Sequence, residues 1–330
     1  MPSLRIACFH LNQLGDLVFS LPALLALGRG FPKAQIISVA RPPHRELLLL
    51  SGLVHNVVER PRGQLISKLK MVSALRSMKL DLAVLFSTSL GTAILAWMAH
   101  PREKAGFGKR GLAYRAEKIG PPSVANNLRL VEALGCRVEK RDYVGLVKLD
   151  ESVRCRVRDL LMHAGIGEST PYAVISPAAS GRRAIKEWTS EGFAAVAERL
   201  ADDLDLVPVL VGTEADEVVA GLSEKIVDLR GKTSIIELAA LLEGAHVFVG
   251  IDSGVMHLAA AVGTPVVALF GPTDPAITGP MGEGHKIVQS DVPCLACMKT
   301  SCREPLCMQR ITPDAVIESV AMCVSEEKNV

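Results

Sequence analysis

Apolar runs of strand length alternate with stretches of helical apolar spacing along most of this chain, in two successive series. The first series opens with residues 4–9, a short apolar run containing β-branched Ile6. A turn around Gly15 follows, and Leu17, Val18, Leu21, Leu24, Leu25 and Leu27 then return at helical spacing. Further strands are predicted over 35–40, 56–59 and 82–86, with helices near 45–50, 65–77 and 92–98. The pattern changes over 141–150, where a basic helix with Arg154, Arg156 and Arg158 begins. The second series places strands over 172–176, 206–211, 226–228, 245–251 and 265–270, with helices over 190–202, 217–224, 235–242 and 256–262 between them. Such alternation builds a parallel sheet covered by helices on both faces. Two series in 330 residues predict two doubly wound α/β domains, 1–150 and 151–330. Ligands are expected in the crevice between them, at the carboxyl ends of the strands.

Composition removes several function classes. With 49% hydrophobic and 22% charged residues the chain has enough to bury and is globular. A net charge of +2 and an aromatic content of 4% argue against a nucleic-acid binder, which needs a basic excess or stacking platforms. Two charge-free stretches, 82–101 and 253–273, are long enough to raise a membrane question. Each is interrupted, the first by Ser87, Thr88, Ser89 and Gly91, the second by His257, Gly263 and Pro265, so each reads as two buried elements joined by a turn. Asp16 breaks the N-terminal apolar run too early for a signal peptide, and a cytoplasmic location is expected.

Some familiar motifs fail on inspection. Gly231-Lys232-Thr233 resembles the end of a P-loop, but Ile226 stands where that loop needs its first glycine. Gly15 is alone in the first turn, so the three-glycine dinucleotide fingerprint is missing. Ile251 replaces the first glycine of a nucleophile elbow around Ser253. Hydrolase, NTPase and dehydrogenase readings therefore lack their defining residues.

Three segments carry chemistry. In VFVGIDSGVMHLAAAVGTPVVALFGPTDP, residues 247–275, a strand ends at Ile251, and Asp252, Ser253 and Gly254 form a tight loop at a helix start. Free amides and the positive helix end suit a phosphate there, and Gly254 lets backbone approach a ligand. Asp252 can accept bonds from sugar hydroxyls, with His257 in the first turn; equally, Asp252 or Ser253 can serve as a helix cap. After the strand at 172–176 come Ser180, Arg182, Arg183, Lys186 and Trp188, a set suited to a diphosphate and equally to a solvated basic loop. At the end of the first strand, Asp16 is placed either as a general base or as a helix N-cap.

Together these segments resemble glycosyltransferase family 9, the heptosyltransferases of the lipopolysaccharide inner core. The resemblance rests on HLNQLGDLVFSLPALLAL, Lys186-Glu187-Trp188, LRGKTSIIELAALLEGA, GIDSGVMHLAAAVGTPVVALFGPTDP and the terminal cysteines. It implies a GT-B fold, two Rossmann-like domains facing a central cleft, the first holding the acceptor and the second the nucleotide-sugar. It implies inverting transfer of heptose from ADP-heptose to Kdo-lipid A or an already heptosylated core, with no metal or other cofactor in the chemistry. Asp16 would be the general base; Lys186 and Ser180, with the Ser253 and Gly254 amides, would bind the diphosphate. Glu214 and Thr233 would lie near the nucleoside, and Asp252 and His257 near the heptose. The sequence departs from the family at Ala178, where glycine is usual, and at His10, Asn12 and Gln13. A lipid-linked acceptor implies peripheral visits to the inner-membrane surface, where Arg102, Lys104, Lys109, Arg110, Arg115 and Lys118 would meet headgroups if they are more than a solvated loop. The last helix is expected either in the second domain or folded back on the first.

Alternatives stay open at this point. A nucleotide-sugar epimerase shares the architecture, and a non-catalytic nucleotide-sugar binder would retain the same pocket. Cys294, Cys297, Cys302 and Cys307 are spaced to hold structural zinc, and equally read as free thiols or a redox-labile disulfide.

Overall fold

The computed structural model describes residues 3–63, 65–108, 111–121, 123–177, 184–213 and 225–327. It divides into two compact units, Met1–Lys148 and Leu149–Val330. Ser180, Glu214 and the helix expected over 217–224 lie outside the described residues.

The first unit runs β1 (Arg5–Phe9), α1 (Leu14–Val18), α2 (Leu21–Gly30), β2 (Gln35–Ala40), α3 (Arg45–Leu50), β3 (Asn56–Glu59), α4 (Leu65–Ser77), β4 (Leu82–Leu85), α5 (Leu90–Met98), β5 (Glu103–Phe107), β6 (Tyr114–Ala116) and α6 (Val124–Glu132). Its strands form one parallel sheet in the order β3-β2-β1-β4-β5-β6. The central β1 and β4 are buried almost throughout, as apolar runs covered on both faces require. The apolar run after Gly15 is two helices rather than one, and Pro22, tolerated only in a first turn, sits at the start of the second. The first helix also starts earlier than apolar spacing indicated, at Leu14.

In the second unit follow α7 (Glu151–His163), β7 (Tyr172–Ser176), α8 (Ser190–Leu204), β8 (Val207–Leu210), β9 (Val227–Asp228), α9 (Ile235–Glu243), β10 (Val247–Ile251), α10 (Gly254–Val262), β11 (Val266–Leu269), α11 (Pro275–Thr278), β12 (Lys286–Val288), α12 (Leu306–Gln309) and α13 (Pro313–Glu327). The sheet order is β12-β11-β10-β7-β8-β9, again all parallel. Renumbered from its own first strand this is the order of the first sheet, so the two units share one topology. Helix α13 belongs to this core: Val316, Ile317, Val320 and Cys323 pack with Val267, Leu269 and Val288 of the sheet.

Strands β5, β6 and β12 were not expected. They are short edge-side strands carrying Glu103, Lys104, Arg115 and Lys286, and such charges hide a strand from a search for apolar runs while discouraging edge-to-edge pairing. No helix among the described residues is long and apolar enough to cross a membrane.

Candidate active site

In a doubly wound sheet the chain leaves its first strand in one direction and returns to build in the other. The loops after the two strands flanking that reversal part company, which opens a crevice at their carboxyl ends. Here the reversals fall between β1 and β4 in the first sheet and between β7 and β10 in the second. Asp16 follows β1; Lys186 follows β7, and Asp252 follows β10. Three of the residues singled out from sequence therefore lie at a switch point.

In the second unit the loop from β7 ends in a turn of 3-10 helix, Ala184–Lys186. Trp188 fixes its exit. The indole is 4% exposed, donates from Nε1 to the Ile311 carbonyl at 3.1 Å and meets the Phe193 ring edge-on at 5.0 Å. Two residues upstream, the buried Lys186 ammonium donates to Asp252 Oδ2 and, at 3.3 Å, to the Asp252 carbonyl. Thr278, at the end of α11, donates from Oγ1 to the same Asp252 Oδ2 at 3.3 Å. A buried lysine and a buried carboxylate thus bridge the two loops of the switch point. Sequence reading assigned them to different parts of a ligand; the structure pairs them.

Asp252 is not the cap of α10. That position is Ser253, whose hydroxyl accepts from the Met256 amide at 3.4 Å, so the serine has a structural task in its side chain. Gly254 is the first residue of α10. His257 lies one turn in and is buried; burial pushes its pKa down to about 4, Lys186 adds to that and Asp252 opposes it. It is neutral at pH 7 and offers one donor and one acceptor. Gly250, near the end of β10, is there because nothing larger fits: a Cβ would stand 2.7 Å from the Phe248 ring and 2.8 Å from the Ser176 carbonyl oxygen. Thr233 is half-buried and precedes Ser234, which closes a capping box with Glu237 at the start of α9.

At the first switch point Asp16 is half-buried and occupies the third position of α1, behind Gln13, which holds the N-cap position without a side-chain bond. The N-cap alternative for Asp16 is therefore excluded. At the exit of β1, His10 is locked in place. The Ser20 hydroxyl donates to the Leu17 carbonyl at 2.6 Å, leaving its oxygen to accept from His10 Nδ1 at 2.9 Å. His10 Nε2 then accepts from the Ser38 hydroxyl at 2.9 Å, and the ring stacks on Phe86 at 5.5 Å. Burial, with His44 adding to it, lowers the His10 pKa to about 3, so this imidazole is a neutral clamp. Arg60, which the sequence reading passed over, places its guanidinium 3.0 Å from Thr92 Oγ1 and 3.5 Å from the His10 carbonyl. Its position directly after a predicted strand was the available signal, since that is where ligand-facing groups collect. Thr278 was missed for lack of any such mark.

The cysteines form no compact ligand set: among the described residues no group of three or more His, Cys, Asp or Glu is arranged to hold a metal ion. Cys294, Cys297 and Cys302 are exposed and Cys307 is buried. Burial raises the Cys307 thiol, and the other three add to that rise. Their loop packs on the strand end that leads to α11, with the Ala296 amide 2.9 Å from the Gly271 carbonyl and the Met298 amide 2.7 Å from that of Pro272.

Two Rossmann-like units of one topology, each with polar side chains collected at its switch point, make the GT-B architecture. The model of glycosyltransferase family 9 (heptosyltransferase) matches residues 68–308, and the chain belongs to that family. It is similar to lipopolysaccharide heptosyltransferase 3 of Escherichia coli, 27% identical over 291 residues, covering 79% of this chain and 81% of that one. It is also similar to lipopolysaccharide heptosyltransferase 1 of Pseudomonas aeruginosa, 26% identical over 360 residues, covering 98% and 99%. In fold it matches the solved structure of E. coli ADP-heptose lps heptosyltransferase II, with a TM-score of 0.80, 21% identity and coverage of 98% and 100%.

Proposed function

We propose that the protein transfers heptose from ADP-heptose to the lipopolysaccharide inner core, Kdo-lipid A or an already heptosylated core, with inversion and without a catalytic metal. The observation that carries this reading is the buried Lys186–Asp252 pair at the switch point of the second sheet. A buried ammonium beside a helix start is what a departing diphosphate needs when no metal neutralises it.

The chemistry divides between the two units. Inversion requires attack on the face of the sugar opposite the leaving group. Asp16 takes the proton from the acceptor hydroxyl as the new glycosidic bond forms, and the bond from the anomeric carbon to the ADP oxygen breaks. Lys186 exchanges its carboxylate partner for the diphosphate, joined by the Ser253 and Gly254 amides and by Ser180. Asp252, once released, accepts from heptose hydroxyls, and neutral His257 adds a hydrogen bond without adding charge. Glu214 and Thr233 face the nucleoside. Arg60 is the cation available to an acidic group of the acceptor. The acceptor's lipid keeps the reaction at the cytoplasmic face of the inner membrane.

The test is incubation with ADP-heptose and each acceptor, followed by mass spectrometry. One added heptose per released ADP is expected. An intact donor with both acceptors overturns the reading, and an epimerised donor formed without acceptor replaces it with the epimerase alternative.

A further inference from the structure

Helix α5 is apolar on both sides. Its sequence LGTAILAWM holds no charge; Thr92, Leu95 and Ala96 face the core, while Leu90, Ile94 and Trp97 are 75%, 47% and 64% exposed. The spacing of four and then three residues puts these three on one stripe. An all-apolar helix is ordinarily enclosed, so an open face of this kind points to a partner. The neighbouring α4 repeats the feature with Leu65, Ile66 and Leu69 exposed. Both helices cover the same face of the first sheet, since Met71, Val72 and Leu75 share one core with Leu95, Ala96 and Ala99. Arg76 ties their ends together, donating from Nε to the Met98 carbonyl at 2.6 Å.

The chain segment that leads into and forms α4 is cationic. Between Arg60 and Leu80 stand six cations, Arg60, Arg62, Lys68, Lys70, Arg76 and Lys79, and no carboxylate. A basin of about 460 Å³ opens beside the far end of α5, lined by Arg76, Lys79, Leu80, Ala99, His100 and Arg102. The Trp97 ring lies 6.0 Å from that of His100, so apolar stripe and basic basin are continuous. Arg102 keeps a pairing with Asp81 at 3.3 Å, and its side chain is still 83% exposed.

We infer that α4 and α5 form a docking face for an anionic lipid bilayer, the apolar stripe entering the headgroup layer and the basin seating lipid phosphates. A second protein would be expected to answer this face with carboxylates at fixed points; a bilayer needs only a basic rim around an apolar stripe. The stripe begins at Leu90, just beyond the carboxyl end of β4, and β4 pairs with β1, whose own carboxyl end leads to Asp16. A docked bilayer therefore lies along a helix that starts at the edge carrying the proposed base. In that respect the inference rests on the glycosyl-transfer reading; the docking itself does not.

Flotation with phosphatidylethanolamine–phosphatidylglycerol vesicles, against pure phosphatidylcholine, tests it. The protein has two tryptophans, and Trp188 is buried, so a Trp188→Phe chain reports from Trp97 alone. Binding to anionic vesicles with a blue shift of Trp97 emission is expected. Leu90→Ser, Ile94→Ser and Trp97→Ser together should weaken partitioning about 100-fold. Lys70→Gln, Lys79→Gln and Arg102→Gln together should weaken it about 10- to 100-fold and flatten its salt dependence. Both variants should keep wild-type turnover on a water-soluble acceptor fragment. No binding to anionic vesicles, or unchanged binding by the triple-serine chain, overturns the inference. So does sedimentation showing that the stripe instead holds a dimer that the serines dissolve. A chain that binds vesicles through the stripe but transfers no sugar leaves this face standing and removes the transferase reading; active protein that ignores vesicles does the reverse.

Discussion

Removing either member of the Lys186–Asp252 pair should have opposite effects on the diphosphate and the same effect on the fold. Both side chains are less than 10% exposed, so the survivor of either change is a buried charge that has lost its ion-pair partner. Breaking such a pair typically costs about 3–5 kcal/mol, whereas replacing both members by neutral groups of similar volume is often close to neutral. For a unit of this size that corresponds to a fall in Tm of roughly 10 °C for Lys186→Met or Asp252→Asn, and far less for the double variant. Ligand binding separates the two singles. Lys186→Met loses a charge-assisted contact to phosphate, and affinity for ADP should drop about 10- to 100-fold in calorimetry. Asp252→Asn removes the competitor for that ammonium, so ADP affinity should hold or rise, and ADP should recover more of the lost Tm than it adds to wild type. Transfer should nevertheless fall in both, because Asp252 is assigned to the heptose. Single variants that melt with the wild type, or equal loss of ADP affinity in both, would refute the view of this pair as a latch on the diphosphate site.

Four further outcomes can be checked. Asp16→Asn should retain fold and ADP affinity and lose about 10²-fold or more in turnover under saturating substrates, while near-normal turnover would move the proton elsewhere. Gly250→Ala should cost about 1–3 kcal/mol in chemical denaturation, since the new methyl meets a backbone carbonyl that cannot step aside; an unchanged midpoint would show that β10 and β7 can separate. His10, His44 and His257 are held down to about 3, 4 and 4. Only the unfolded chain takes up their protons as pH falls from about 6.5 toward 4, so stability should decline by roughly 2 kcal/mol per histidine at pH 5, and a denaturation midpoint that is flat between pH 7 and 5 would contradict it. For the cysteine loop, a structural metal predicts about one equivalent in anaerobically purified protein and a lower Tm on chelation, while metal-free protein by elemental analysis would leave the thiols free.

The fold was readable because its central strands are buried on both faces. The apolar runs at β1, β4, β7, β10 and β11 are continuous, and their surroundings demand it. Of the edge strands, β3 and β9 were readable but β6 and β12 were not, since these two are three residues long and shared with solvent. The site was legible to the extent that it consists of strand ends: Asp16 and Asp252 could be chosen because each follows a strand. What could not be read was contact across the sequence. That Lys186 and Asp252 neutralise one another depends on β7 and β10 being neighbours, which no local pattern states. The same holds for Thr278, brought to Asp252 by a short helix. Trp188 looked like part of a basic ligand loop, yet its indole is a bolt between that loop and the chain just before α13.

The shared topology of the two sheets carries one more step. In the second sheet the loops after β7 and β10, first and fourth in that sheet, meet through Lys186 and Asp252. The equivalent loops of the first sheet follow β1 and β4, and one bears Asp16 while the other leads through Ser87 and Ser89 into α5. There the cation comes from elsewhere: Arg60, at the end of β3, reaches across to Thr92 on α5 and to the His10 carbonyl. The loop after β4 holds no lysine, so the first unit does not repeat the Lys186–Asp252 pair. A base has to be free to take a proton, and a partner cation held as tightly as Lys186 holds Asp252 would favour the ionised, weakly basic form. One topology therefore carries two arrangements, a carboxylate paired with the lysine of the opposite loop in the second unit and, in the first, the carboxylate proposed as the base, set opposite a loop without a lysine. Placing a lysine at Ser87 should convert the second arrangement toward the first. Ser87→Lys is expected to preserve ADP affinity, because the second unit is untouched, and to lower turnover while moving the acidic limb of its pH profile to lower pH. An unshifted limb would show that the proton-accepting group is not at this edge of the first sheet.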